Sequence, residues 1–138
     1  MSDRELLEKA ARAYWGDEVD DVMSFHWDEE EQAICYIHAD NQDHNGNDTE
    51  LLWIPLDDLG DAMRIAVKLG ISVEPYPYYS HPKHSVVCKQ RRRSDQLREH
   101  NPTEVIELYG DDPGAATCMA IVRATAAIHD AKGQHDQN

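Results

Sequence analysis

The stretch WIPLDDLGDAMRIAVKL, residues 53–69, combines a turn with a complete set of helix signals. Asp57 or Asp58 stands where a capping side chain accepts hydrogen bonds from free amides, and Gly70 follows where glycine commonly ends a helix. Apolar side chains recur between them at helical spacing, at Leu59, Ala62, Met63, Ala66 and Val67. These signals predict a helix from Asp58 to Leu69.

The turn before this helix involves Trp53. Pro55 restricts Ile54 to an extended conformation, so the chain runs straight before it bends into the helix. We expect Trp53 to be buried where a sheet meets the helix, although an exposed Trp53 would make a good binding anchor. The exposed fraction of Trp53 therefore distinguishes a structural role from a binding role.

Two further helices have start signals of their own. Ser2 and Glu5 have the spacing of a capping box, and an apolar stripe continues to Trp15 and ends at Gly16. Asp112 before Pro113 predicts the start of a third helix that ends near Ala131. Its apolar positions are Ala115, Met119, Val122 and Ala126.

The remaining ordered segments are rich in β-branched and aromatic residues. Residues 22–27 and 33–38 flank the polar turn 28–31 and predict a hairpin, and residues 71–74, 85–89 and 105–109 predict short strands. We expect an α+β fold, with one mainly antiparallel sheet of about five strands in an α-β-α sandwich. The second and third helices would cover its main apolar face, and the first helix the other face or the edge.

The Trp-x-Pro-Leu run that leads into Gly-Asp-Ala, residues 53–62, and the segment GDDPGAATCMAIVRATAAI, residues 110–128, occur together. This pair resembles small phage and prophage proteins of unknown function that are classed as the phage ABA sandwich domain. The likeness covers residues 50–131. It implies a phage origin and a sandwich fold, with residues 1–50 as a variable helix and hairpin, 51–131 as a core and 132–138 as a disordered tail. It implies no catalytic residues.

Length and composition favour one domain, because 138 residues with 41% hydrophobic content can bury one ordinary core. No apolar run approaches the roughly 20 residues of a membrane helix, and residues 1–10 lack the features of a signal peptide. We expect a cytoplasmic protein of the infected bacterial host. Cys35, Cys88 and Cys118 are an odd number at wide spacing, which indicates buried, reduced thiols.

The net charge of −14 is concentrated in one half of the chain. Residues 1–63 hold 18 Asp and Glu against 3 Lys and Arg, whereas residues 64–110 hold 5 against 8. Direct nucleic-acid binding by the acidic half is disfavoured, because it would need cationic surface. The acidic half suits a basic partner, although acidity also serves simple solubility.

Several other motifs leave alternatives open. Cys35, His38, His84 and Cys88, with His81 nearby, offer zinc ligands if their two strands are neighbours, although Cys35 and His38 would point to opposite sides of one strand. Residues 40–50 faintly resemble a calcium loop but lack its ligand pattern. The basic cluster Arg91–Arg93 could contact phosphate or could be a solvated hairpin tip.

No nucleophile, phosphate-loop or metalloprotease motif is present, so we expect neither catalysis nor a cofactor. The leading hypothesis is a phage accessory protein that binds a host or antiviral-defence protein with a basic surface, as an anti-CRISPR or anti-restriction inhibitor that mimics nucleic acid. A metal protein or enzyme and a virion or replication assembly component are the alternatives. The expected partner-binding residues are Asp28, Glu29, Glu30, Glu31, Tyr76, Tyr78 and Tyr79.

Overall fold

The helices and strands follow local signals in the sequence. A computed structural model describes residues 2–16, 22–42, 44–46, 48–75, 85–90 and 103–136. Among these residues, the elements in chain order are α1 (Asp3–Trp15), β1 (Val22–Asp28), β2 (Ala33–Gln42), β3 (Asp48–Trp53), α2 (Leu59–Leu69), β4 (Ile71–Pro75), β5 (Ser85–Gln90), β6 (Val105–Leu108) and α3 (Pro113–Asp136).

Each helix begins at a side chain that accepts a hydrogen bond from a free backbone amide. Ser2 Oγ accepts from Glu5 N at 3.2 Å, Asp58 Oδ1 from Gly60 N at 2.8 Å, and Asp112 Oδ1 from Ala115 N at 3.1 Å. The three predicted helices are thereby confirmed, with their predicted caps. The third is longer than expected: residues 132–136, predicted to belong to a disordered tail, continue α3.

The strands form two sheets. Sheet A has the order β1-β2-β3, sheet B has the order β4-β5-β6, and all pairs within them are antiparallel. The α+β class in one compact domain is confirmed, but the expectation of a single sheet of about five strands is wrong. In the described part of the chain, strands pair only with their neighbours in sequence, and α2 lies between β3 and β4, where it interrupts the pairing.

The helices are also arranged differently from the prediction. α3 contacts the three strands of sheet B, and it also packs against α1 and α2. α1 in turn contacts β1 and β2 of sheet A. The buried core therefore includes the N-terminal helix. No helix in the described ranges has the length and apolarity that crossing a membrane requires.

α2 does not bury the whole of its predicted apolar stripe. Its buried side chains are Ala62, Ile65 and Ala66. Leu59, Met63 and Val67, which occur every fourth residue, instead form an exposed ridge, with Val67 80% exposed. The spacing predicts the helix correctly but not which side of the stripe faces the core.

An aromatic cluster joins α1 to sheet A. The ring centroid of Trp15 lies 5.1 Å from that of Phe25, 5.1 Å from Tyr36 and 4.9 Å from Trp53, and Tyr14 stacks on Trp53. Trp53 is only 3% exposed, which confirms its predicted burial at the junction of sheet and helix.

Candidate functional site

The two faces of sheet A differ in chemistry because side chains alternate along each strand. The inner face carries Phe25, Trp27, Ile34, Tyr36 and Trp53, all of which belong to the core or pack against it. The opposite face, called the outer face below, carries His26, Asp28, Cys35 and Glu50. His26 lies directly opposite Cys35 in the β1–β2 pairing, and Glu50 lies opposite Ile37 in the β2–β3 pairing.

The turn between β1 and β2 is an ordered acidic tip, formed by residues 28–32. Asp28 Oδ1 accepts hydrogen bonds from Glu30 N at 2.9 Å and from Glu31 N at 3.0 Å. Gln32, which has a left-handed φ of 50°, donates its side-chain amide to Glu29 O at 2.7 Å. These bonds fix the backbone that presents the tip carboxylates.

The tip carboxylates differ in their roles. Glu29 Oε1 lies 3.0 Å from Arg4 Nη1 of α1, in an exposed ion pair that contributes little stability. Glu30 and Glu31 are exposed to solvent, whereas Asp28 is half-buried and builds the turn. Of the four acids expected to bind a partner, Glu30 and Glu31 are therefore the two whose side chains are most available.

Three side chains that could bind a metal ion lie close together below the tip. One nitrogen of His26, one carboxylate oxygen of Asp28 and Sγ of Cys35 all lie within 4.8 Å of one another. Glu50 Oε1 lies 3.7 Å from Nε2 of the same histidine. Cys35 is buried, whereas His26 and Glu50 are exposed, so the cluster is open to solvent on one side.

The environment of Cys35 keeps its thiol protonated. Burial raises the pKa of Cys35, and the negative charges of Asp28, Glu50 and Glu31 and a hydrogen bond with Asp28 raise it further. The charges of three acidic residues, two from the hairpin and one from β3, therefore act on one sulfur. The electrostatic field at this point favours a cation.

The other cysteines lie in different surroundings. Burial raises the pKa of Cys88 on β5 to about 12, and burial also raises the pKa of Cys118 in α3. All three cysteines are free and buried, as predicted. The thiols of Cys88 and Cys118 are of the kind that is unreactive and serves as a small apolar side chain.

The condition for the predicted zinc set, that the strands of Cys35 and Cys88 are neighbours, is not met, because β2 belongs to sheet A and β5 to sheet B. His81 and His84 lie outside the described residues, as does the side chain of His38. Cys35 instead meets His26 and Asp28, which come from its own hairpin.

Other predicted sites also fall beyond the described part of the chain. Tyr76, Tyr78 and Tyr79 lie there, together with Arg91–Arg93. Of residues 40–50, Asp43 and Asn47 are outside as well, while the neighbouring positions extend β2 and begin β3. The roles expected for the tyrosines and arginines stay predictions.

Comparison with known proteins gives no family. No protein-family model matches the chain, and neither does any curated protein or solved structure. The resemblance to the phage ABA sandwich domain therefore stays a prediction, and functional arguments depend on the geometry of the chain itself.

Proposed function

We propose that this protein acts by stoichiometric binding, and that the acidic tip of sheet A contacts a protein with a basic surface. The observation that carries the proposal is the ordered turn that presents Glu30 and Glu31 to solvent above the acidic outer face. The partner class that fits best is a nucleic-acid-binding protein of the bacterial host or of its antiviral defence. The phage resemblance supports that choice.

Charge supports this proposal in two ways. The half of the chain that contains the tip holds 18 acidic against 3 basic residues, so its field attracts cationic surfaces over a distance of about 10 Å at moderate salt. Carboxylates on a fixed backbone also resemble a row of phosphates, for which a nucleic-acid channel is already complementary. Binding of this kind needs no catalytic group.

Order at the tip adds to affinity. Because Asp28 and Gln32 already hold the turn, the tip acids lose little conformational freedom when a partner binds. Asp28 is part of this scaffold, so neutralising all four tip acids together would confuse loss of charge with loss of the turn. The informative variant changes Glu30 and Glu31 alone.

The experiment is affinity capture from a bacterial lysate with the full chain, its E30Q/E31Q variant and a control. The control, E74Q/D111N, removes two exposed charges from β4 and from the turn before α3, away from the tip. We expect the native chain and the control to retain the same partner, and E30Q/E31Q to lose most of it. Added duplex DNA and rising salt should both release the partner.

Capture that is indifferent to salt, to DNA and to E30Q/E31Q would contradict the proposal. If the retained protein were instead a virion or replication component held by apolar contacts, the assembly alternative would replace it. The melting temperature of each variant shows whether a loss of capture reflects unfolding.

A further inference from the structure

The donor groups on the outer face of sheet A differ in kind, which sets them apart from an ordinary acidic surface. We propose that His26, Asp28 and Cys35 form a binding site for a divalent transition-metal ion, and that zinc is the ion their chemistry fits best. This site would exist in addition to partner binding by the tip and does not depend on it.

The hairpin register brings the three ligands together. His26 and Cys35 are directly paired across β1 and β2, and Asp28 is two residues beyond His26 on the same face. Their donor atoms lie within 4.8 Å of one another. In a tetrahedral zinc site, bond lengths of about 2.0–2.3 Å place the ligand atoms roughly 3.5 Å apart, so small side-chain rotations would close the set around an ion.

The combination of ligands selects the metal. An imidazole nitrogen and a thiolate sulfur are poor ligands for calcium or magnesium, which prefer oxygen, whereas zinc accepts nitrogen, sulfur and carboxylate oxygen. Three protein ligands leave a fourth position for water or for a group from a partner. The exposure of His26 provides the entry path.

Glu50 provides the support that such sites commonly have. Its Oε1 lies 3.7 Å from His26 Nε2. A small movement would allow it to accept a hydrogen bond from the imidazole and so fix the ring while the other nitrogen binds the metal. Glu50 comes from β3, so all three strands of sheet A contribute to the site.

Metal binding requires Cys35 as the thiolate, because zinc binds deprotonated sulfur. On binding, the S–H bond breaks, the sulfur–metal bond forms and the proton goes to solvent, so affinity should rise with pH. Asp28 can serve both functions, because its Oδ1 accepts the hydrogen bonds of the turn and its carboxylate has a second oxygen that can bind an ion.

The experiment is a titration of the reduced, metal-free full chain with Co²⁺ and then with Zn²⁺. We expect one equivalent of Co²⁺ to produce thiolate-to-cobalt charge-transfer absorption, and Zn²⁺ to remove it by displacement. Cys35→Ser should abolish this absorption. His26→Gln, at an exposed position, should weaken binding at least about tenfold, as should Asp28→Asn.

Matched controls are Cys118→Ser, which alters a buried cysteine in α3, and His44→Gln, which alters an exposed histidine. Both should bind cobalt like the native chain. Absence of the charge-transfer absorption would overturn the proposal. So would absorption that survives Cys35→Ser, or that is lost with Cys88→Ser or with a His81→Gln/His84→Gln variant while His26→Gln has no effect.

Discussion

The inner and outer faces of sheet A are built from alternate residues of the same strands, yet their side chains have different surroundings. Inward side chains such as Trp53 and Phe25 pack on Trp15 and join sheet to helix. Outward side chains such as His26 and Cys35 bring polar donors together beside solvent. If the proposed binding is right, we expect substitutions on the inner face to change mainly stability and substitutions at His26 to change mainly binding.

The largest effect should come from the inner face. Trp53→Ala would leave a cavity beneath Tyr14 and Trp15 and should lower the free energy of unfolding by about 3–5 kcal/mol. Chemical denaturation monitored by circular dichroism measures this change. A loss below about 1 kcal/mol would mean that the aromatic cluster does not join α1 to the sheet.

This inner face is also where sequence-based prediction succeeded. Pro55 after Trp53 predicted a chain that turns from a sheet into α2, and the indole is indeed buried. Asp61, on the first turn of α2, has a role that spacing along the chain does not show. Its Oδ2 accepts a hydrogen bond from Ile54 N at 3.1 Å and its Oδ1 pairs with Arg64 at 2.6 Å.

A second effect concerns the buried Cys88 and depends on pH. Cys88 lies in the core of sheet B, where burial raises the pKa of its thiol from 9.0 to about 12. The folded state therefore holds this proton more tightly than the unfolded state. The stability that the protonated thiol contributes to the fold is fully present below pH 9 and is lost as pH rises toward 12.

Urea unfolding at about pH 8 and about pH 10 tests this dependence. The native chain should lose stability over that interval, and Cys88→Ala should be less stable at the lower pH but should lose less of its stability on going to the higher one. Equal losses in both proteins would contradict the role assigned to Cys88.

An intermediate effect is expected where the two faces meet the turn. Asp28→Ala removes the acceptor for Glu30 N and Glu31 N and should lower the free energy of unfolding by about 1–2 kcal/mol. Asp28→Asn keeps an oxygen acceptor and serves as the control, with a smaller loss. If both substitutions were neutral, the turn would not depend on this side chain.

The smallest effect should come from the outer face. His26→Gln in metal-free protein should change the free energy of unfolding by no more than about 0.5 kcal/mol, because the ring is exposed. Thermal unfolding checks this value. A loss comparable to that of Trp53→Ala would show that the outer face also supports the fold.

The outer face is where prediction from sequence was incomplete. Spacing along the chain indicates pairs such as Cys35-x-x-His38, but the observed set of His26, Asp28 and Cys35 is formed across a hairpin. Once residues 29–32 are taken as the turn, pairing outward from Asp28 and Ala33 places His26 opposite Cys35. The signal was present, but it required the register, which depends on the turn geometry.

The division into two sheets could not be obtained from local patterns. Alternation and composition predict strands, but they do not show which strands pair across a helix. β3 was missed because its polar start, Asp48-Thr49-Glu50, continues the composition of the acidic segment before it. Helix caps were predictable because each one depends on a few adjacent residues.

The separation of the two faces is tested most directly by two-dimensional amide NMR of the reduced chain with one equivalent of Zn²⁺. We expect the largest shifts at His26, Asp28, Cys35 and at Glu50, whose Oε1 lies 3.7 Å from His26 Nε2, while the indole N–H signals of Trp15 and Trp53 stay in place. Shifts spread evenly over exposed acidic residues, or centred on another group of histidines, would contradict a site on the outer face.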